Sequence, residues 1–374
     1  MSRILFLTTA HQYDDDRIFY HQAQELHARG HQVKICSLSS VFTGTLAGIE
    51  IESREMLHLP VQEKISILRE ICADFMPQCI ICSEPLAVVA ARQFARKHTA
   101  TVIYDITEWY PSQRMLQRYP HPAKIFHFFR FFLIHLYAGA VSNRLIFGEK
   151  YKQFPLKQLF LWKKSLRSTY YPDQKYISPA VKPLTPGEIT LAYTGSFSRE
   201  KGIEQFFEAA DVFRKNRPDI RTQLLLVGFR EKGGDYFEAL LGKYKWESLI
   251  IKPPAAFEDF TDSYAEADLC FDLRPATFEN HHCLPIKLFY YLGSGKPVIY
   301  SDLKAIRKEA PVHQFGFLAD PGNAEEIAAK IAWYVDHPDQ YLAHARAARQ
   351  LFLEKFHRGI LHKDFVEFVE QAIP

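Results

Sequence analysis

No uninterrupted apolar run in this 374-residue chain approaches the roughly 18 to 20 residues that a membrane span needs, so a transmembrane segment is not expected. A secretory leader is not expected either. Met1-Ser2-Arg3 runs straight into Ile4-Leu5-Phe6-Leu7, too short for a signal core and without a small-residue cleavage site, which leaves the cytoplasm as the expected location. Net charge is nearly absent, at +3 from 46 basic and 43 acidic residues, which excludes a uniformly basic or acidic protein. With 47% hydrophobic and 24% charged residues the chain is neither disordered nor fibrous. Its six cysteines (Cys36, Cys72, Cys79, Cys82, Cys270, Cys283) are scattered through apolar segments, the pattern of reduced buried thiols and not of a disulfide framework. Cys79-x-x-Cys82 lies in a strand-like run, and the neighbours His281-His282-Cys283 cannot easily converge on one ion, so no metal site is expected.

What is present is a repeated alternation of short apolar runs with helical patterns. Arg3–Thr9, Gln32–Leu38, Cys79–Ser83 and Thr101–Asp105 read as strands. Arg17–Arg29, Val61–Phe75 and Pro85–Lys97 read as helices between them, the first stopped by Gly30 and the last opened by proline. A second such series begins at Ile189–Tyr193 and Gly202–Asn216 and continues through Thr222–Val227, Asp235–Trp246, Asp268–Leu273, Pro285–Leu292 and Pro297–Tyr300. Repeated βα units imply parallel, doubly wound sheets. The length suits two domains. Pro172, Pro179, Pro183 and Pro186 punctuate the stretch between the series. The expected division is therefore an amino-terminal Rossmann-like domain at 1–172, a linker at 173–188, a second Rossmann-like domain at 189–357 and a C-terminal helix at 358–374. The expected fold class is α/β, with two doubly wound domains facing across a cleft, and ligands in such sheets bind at the carboxyl ends of the strands.

Two motifs carry chemistry in the second half. Tyr193-Thr-Gly-Ser-Phe-Ser-Arg-Glu-Lys-Gly-Ile203 is a strand, a glycine turn and a helix entry with cations beside it, the physical description of an anion site. Leu284-Pro-Ile-Lys-Leu-Phe-Tyr-Tyr-Leu-Gly-Ser-Gly-Lys-Pro-Val-Ile299 follows at a distance. Together they resemble the carboxyl-terminal half of the group-one (family four) glycosyltransferases of the two-Rossmann GT-B fold. In the first half Asp15-Asp-Arg-Ile-Phe-Tyr20, Leu26 with Gly30-His-Gln-Val33, and Tyr104-Asp-Ile-Thr-Glu-Trp-Tyr-Pro111 are similar to a subset of that family. The likeness covers nearly the whole chain.

The resemblance implies transfer of a sugar from a nucleoside-diphosphate donor, mostly with retention and without a metal or other cofactor. It assigns phosphate contact to Lys201, with Arg199 as a substitute for the arginine that Ser196 replaces. Gly195, Ser196 and Gly202 would form the cradle, and Lys287 would add charge. Of the family's two glutamates eight positions apart, one is Tyr290 here, assigned to the ribose, and the other is His282; Glu279 would reach the donor sugar. The family's histidine in the first half is Thr107, leaving Asp105 and Glu108 to orient or deprotonate an acceptor hydroxyl, with Asp16 and Arg17 on the acceptor side.

One segment stands apart. Between Arg114 and Arg167 there are eleven Lys/Arg and one acid, Glu149, an excess of +10 that leaves −7 for the remainder. Inside it, Lys124 to Tyr137 puts Lys124, His127, Arg130 and His135 within an arc of roughly 140° and leaves the other positions apolar. A basic aromatic helix of this kind fits interfacial binding to an anionic membrane. No nucleic-acid motif accompanies the charge, and nucleic acid is not an expected partner. The integrated expectation is a cytoplasmic enzyme, peripheral on the inner leaflet, adding sugar to a lipid-linked or cell-surface glycan. The competing readings are a degenerate, non-catalytic GT-B protein that binds a glycan or a partner glycosyltransferase, and a GT-B sugar-nucleotide epimerase.

Overall fold

The structure is a computed structural model that describes residues 1–374 apart from 109 and 231–234, and apart from the side chains of 113 and 114. Arg114, the expected start of the basic segment, therefore lies partly outside the described residues. Two compact units are formed, one from 1–170 with 359–374 and one from 171–358.

The first unit is built on strands β1 (Arg3–Thr8), β2 (Gln32–Ser37), β3 (Phe42–Leu46), β4 (Ile49–Ser53), β5 (Cys79–Cys82), β6 (Thr101–Ile106), β7 (Arg144–Phe147) and β8 (Ser165–Arg167). They form an eight-stranded sheet ordered β3-β4-β2-β1-β5-β6-β7-β8. All neighbours are parallel except β3, which pairs antiparallel with β4. The central strands are buried on both faces, so they read as continuous apolar runs. Cys79 and Cys82 take opposite faces of the sheet, one in each core layer, and do not converge. Burial pushes both thiols up, Cys79 to about 12.

Helix Val61–Phe75 forms where its pattern predicts, burying Ile65, Leu68, Ile71, Cys72 and Phe75 along one face before Met76 turns left-handed. The expected Arg17–Arg29 helix differs. It is a wide i→i+5 helix at Asp16–Ala23 that continues as an α-helix at Gln24–Ala28, and Asp15 caps it by accepting from the amides of Arg17 and Ile18. The closing helix His362–Glu370 packs Phe365, Val366 and Val369 among Ile4, Phe6 and Ile35, which makes it part of the first unit.

Helix His121–Val141 departs from expectation twice. At 21 residues it is long and apolar enough, by length and composition, to cross a membrane, although Lys124, His127, Arg130 and His135 interrupt its apolar run. Its polar arc is also turned the wrong way for a helix covering a sheet. His135 is buried, with Nδ1 2.9 Å from the Tyr104 hydroxyl, while Phe126, Phe129 and Leu133 are exposed.

The second unit has β9 (Glu188–Phe197), β10 (Arg221–Arg230), β11 (Leu249–Lys252), β12 (Leu269–Asp272), β13 (Val298–Ser301) and β14 (Gly316–Ala319). The six strands are ordered β11-β10-β9-β12-β13-β14, all parallel. Residues 173–188, expected as a linker, belong to this unit. Ile177 is buried against Gly293, and the Ala180 amide donates to the Ser294 carbonyl at 2.9 Å. The fully buried Lys296 ammonium ties the strap down by donating to the carbonyls of Ala180, Ala265 and Ala267 at 3.0, 2.6 and 2.7 Å. Saturated hydrogen bonding is what makes burial of that charge tolerable.

Candidate functional site

Both sheets change direction at their first strand. In the second unit the chain runs β9, β10, β11 to one side and then resumes at β12 on the other, so the crevice above the ends of β9 and β12 is a topological switch point. The corresponding place in the first unit lies between β1 and β5. These two places hold the ionisable clusters described next.

In the second unit β9 ends in Thr194-Gly195-Ser196-Phe197, followed by one 3₁₀ turn at Arg199–Lys201 and helix Ile203–Asn216. Gly195 and Gly202 adopt φ of +114° and +80°, conformations that favour glycine. A Cβ at Gly202 would lie 2.2 Å from the Leu273 carbonyl carbon, so this turn is seated directly on the end of β12. The Tyr193 hydroxyl donates to the carbonyls of Ser196 and Lys201, at 2.8 and 3.1 Å, and closes the turn from below.

Cations converge on the turn. The Lys287 ammonium donates to the Thr194 carbonyl at 2.5 Å, and a Cβ on Gly195 would stand 3.4 Å from it. Asp272, at the end of β12, lies 3.5 Å from Lys287 and accepts from Arg274 Nε and Nη2 at 2.7 and 2.6 Å. Lys201 adds its field to the same group. Two cations thus share one carboxylate, and a third acts on it through its field. Burial alone would raise the Asp272 pKa, yet Arg274 and Lys287 bring it down to about 2. Burial, together with the positive charge of Arg274 and Lys201, pulls Lys287 down to about 8 against the attraction of Asp272. A site with an uncompensated double positive charge is prepared for an anion with two negative charges.

The other residues expected here are placed differently. Arg199 stacks on the Tyr236 ring, its guanidinium carbon 4.6 Å from the centroid, in place of the phosphate contact expected of it. Tyr290 is 3% exposed and packs edge-on against Phe260, a core position that overturns its assignment to a ribose. On helix Lys287–Ser294 the face that meets β9 is Lys287 with Tyr291, whose hydroxyl lies 2.6 Å from Thr194 Oγ1. Glu279 sits half-buried in the short helix Phe278–His281. His282 Nδ1 is 2.7 Å from the Phe278 carbonyl in its own turn, and His281 Nδ1 accepts from the Lys304 amide at 3.4 Å, at the start of helix Lys304–Glu309.

In the first unit His11, in the loop after β1, stands among groups from three strand ends. Its Nδ1 is 2.9 Å from Asp15 Oδ2, and its Nε2 is 3.3 Å from Thr107 Oγ1 and 3.7 Å from Glu84 Oε1. Burial would lower the imidazole pKa, but Asp15, Glu84 and Glu108 raise it to about 9, so His11 is an imidazolium at neutral pH. Glu84 is buried and accepts from Thr8 Oγ1 and from the amides of Thr9 and Ala10, at 2.9, 2.8 and 3.2 Å. Glu108 is exposed. Burial and the charge of Asp15 push Asp16 up to about 6.

Asp105 and Arg17 do not face a substrate. Asp105, 1% exposed, accepts from Arg17 Nε and Nη2 at 3.0 and 2.8 Å and from Gln22 Nε2 at 2.8 Å, while Arg17 Nη1 donates to the Ser168 carbonyl. The expectation of Asp105 as a base and Arg17 as an acceptor contact is corrected to an internal brace joining β6, the segment after β8 and the 16–23 helix. Three donors take three of the carboxylate's roughly four lone-pair sites, and burial closes the fourth to a substrate hydroxyl. Sequence reasoning missed His11, Glu84, Asp272, Arg274 and Tyr291. The available signal was position, since His11, Glu84 and Arg274 all fall within a few residues of a strand's carboxyl end.

Among the described residues no group of three or more His, Cys, Asp or Glu stands together in a way that would hold a metal ion. Residues 188–337 match the model of the family described as glycosyl transferases group 1. No curated protein matches the chain. Among solved structures it is similar to a sucrose-phosphate synthase from Thermosynechococcus elongatus, with a TM-score of 0.75 at 15% identity over 99% of this chain and 98% of that one. It is also similar to Anabaena HepE in complex with UDP-glucose, with a TM-score of 0.70 at 13% identity over 99% and 100% of the two chains. A UDP-forming trehalose-phosphate synthase from Burkholderia xenovorans gives 0.72 at 8% identity over the whole of both.

Proposed function

We propose that the chain is a nucleotide-sugar-dependent glycosyltransferase, a reading that its group 1 match at 188–337 and its two-Rossmann GT-B fold support. The donor is a nucleoside-diphosphate sugar whose diphosphate lodges against Gly195 and Ser196 on the second unit. The uridine nucleotides bound by HepE make UDP the first nucleoside diphosphate to test. The single observation that carries this reading is the pairing of Asp272 with Arg274 and Lys287, in the field of Lys201, at the switch point.

In the reaction the bond from the anomeric carbon to the diphosphate oxygen breaks and leaves its electron pair on the phosphate. A bond forms from the acceptor hydroxyl oxygen to the same carbon, and the hydroxyl proton departs. Lys287 and Lys201 take up the leaving charge, the task that a metal performs elsewhere. Their convergence supports metal-independent transfer; retention follows from the family resemblance. On the acceptor side Asp16, which titrates near pH 6, is the proton-accepting candidate, with Glu108 and the His11 imidazolium orienting the hydroxyl. The acceptor is a lipid-linked or cell-surface glycan.

Calorimetry of the full chain with UDP, GDP and ADP tests the reading, followed by sugar-release and transfer assays in a chelator. Binding of one diphosphate, weakened in Lys201→Ala and Lys287→Ala, is expected. No diphosphate binding at millimolar concentration would return the chain to the non-catalytic alternative, and product formed from donor alone would favour the epimerase.

A further inference from the structure

The strongest feature outside the site is the exposed face of helix His121–Val141. Only 17% of its most apolar stretch is buried. Phe126, Phe129, Leu133 and Tyr137 fall on one helical stripe at 67, 58, 62 and 47% exposure, with Arg130 among them and Ile125 and Phe128 beside it. Spacings of three and four residues place these side chains on a common face. A soluble protein gains nothing by presenting such a crest to water.

A second segment extends the crest. Helix Leu156–Leu159 and the residues after it are clamped to the end of the long helix. Leu156 and Phe160 close over Gly139, where a Cβ would come within 2.8 and 3.0 Å of them, and Lys163 Nζ donates to the carbonyls of Ala140 and Ser142. Leu159, Leu161 and Trp162 are left exposed there, Trp162 at 76%. Lys157, Lys164 and Arg167 are exposed in the same segment, and the one acid between 114 and 167, Glu149, is paired with Lys152 at 2.7 Å.

We propose that helix 121–141 and residues 154–164 form one interfacial face that seats the first unit on an anionic lipid surface, with the aromatic and leucine side chains at the acyl boundary and Arg130, Lys157 and Lys164 among the headgroups. Charge complementarity selects this occupant. A second copy of the chain would bring two strongly basic faces together, whereas an anionic leaflet supplies both the apolar layer and the counter-charge. The helix lies on the bilayer and does not span it, because His135, Ala138 and Gly139 are held in the core of the unit, His135 by Tyr104. The proposal is independent of the transfer chemistry, and its readout does not use activity.

The test is co-sedimentation of the full chain with vesicles of phosphatidylcholine alone or mixed with phosphatidylglycerol, with Trp162 fluorescence as a second signal. Binding to the anionic vesicles only, reversed by salt and accompanied by a blue shift that Trp162→Phe abolishes, is expected. Replacing Arg130, Lys157 and Lys164 by glutamine should weaken partition about a hundredfold, since each nearby cation is worth roughly a fivefold factor. Phe126→Ser with Phe129→Ser, at exposed positions that the fold does not use, should abolish it. Several outcomes overturn the proposal: no partition onto anionic vesicles, partition that both sets of substitutions leave unchanged, resistance to alkaline carbonate extraction, or a dimer without lipid that Phe126→Ser with Phe129→Ser dissolves.

Discussion

His11 Nε2 lies 3.3 Å from Thr107 Oγ1, which brings an imidazole from the loop after β1 against the residue that follows β6. Asp15 and Glu84 hold the ring charged, so it acts as a hydrogen-bond donor and fixed positive charge and not as a base.

The first prediction concerns that charge. His11 titrates at about 9 in the folded protein against an ordinary 6.5. A raised pKa contributes stability that is fully present below about pH 6.5 and is lost as pH rises through about 9. The contribution is at most about 3 kcal/mol. Denaturant unfolding of the native chain and of His11→Gln across this window should show the difference shrinking as pH rises. A difference that stays constant would remove the imidazolium. Transfer activity should fall in the variant even at pH values where both are folded.

Lys287 supplies the second prediction. Its pKa of about 8 in the free protein leaves it partly neutral at pH 8, and a bound diphosphate favours the charged form. Binding should therefore take up a fraction of a proton per nucleotide near pH 8, measurable as a dependence of calorimetric heat on buffer ionisation enthalpy. Lys287→Met should bind more weakly and take up no proton. Before ligand binds, the depressed pKa means that Lys287 opposes folding at neutral pH and that stability rises between about pH 8 and pH 10.5.

Asp105 and Arg17 separate a brace from a base. Asp105→Asn leaves the buried Arg17 guanidinium without its carboxylate, and breaking such a pair from one side costs about 3 to 5 kcal/mol. The expected result is a lowered thermal midpoint with an unchanged pH profile for the surviving activity. A wild-type midpoint with a shifted pH–rate profile would restore Asp105 as the base.

How far the sequence reached depended on whether the signal was local. Val61–Phe75 was legible to the residue because one amphipathic stripe and a sharp stop specify it. Strand β3 was not, since Thr43, Gly44 and Thr45 lie exposed on a sheet edge and carry no burial pattern. The glycine turn after Thr194 was legible because Gly195 and Gly202 are needed by backbone geometry. Tyr290 and Tyr291 were not distinguishable, because which face of a short buried helix meets β9 is decided by packing and not by spacing from Gly295. The clusters around His11 and Asp272 join loops 73 to 96 residues apart in one case and β12 to a following helix in the other, contacts that only the folded sheets create.

The last prediction weighs two neighbouring cations. Lys201 and Arg199 flank the same turn and look equivalent in sequence, yet Arg199 lies over the Tyr236 ring while Lys201 adds its field to Asp272 and Lys287. Lys201→Ala should weaken diphosphate binding by about 1.5 to 3 kcal/mol, the range for a hydrogen bond to a charged group. Arg199→Ala should leave that affinity within about 0.5 kcal/mol, the usual bound for a surface change away from the ligand, and should lose only the stacking on Tyr236. Titration of both variants with the nucleotide that binds the native chain decides the matter. Equal losses would mean that Arg199 leaves its ring when ligand arrives, and a loss confined to Arg199→Ala would reverse the assignment.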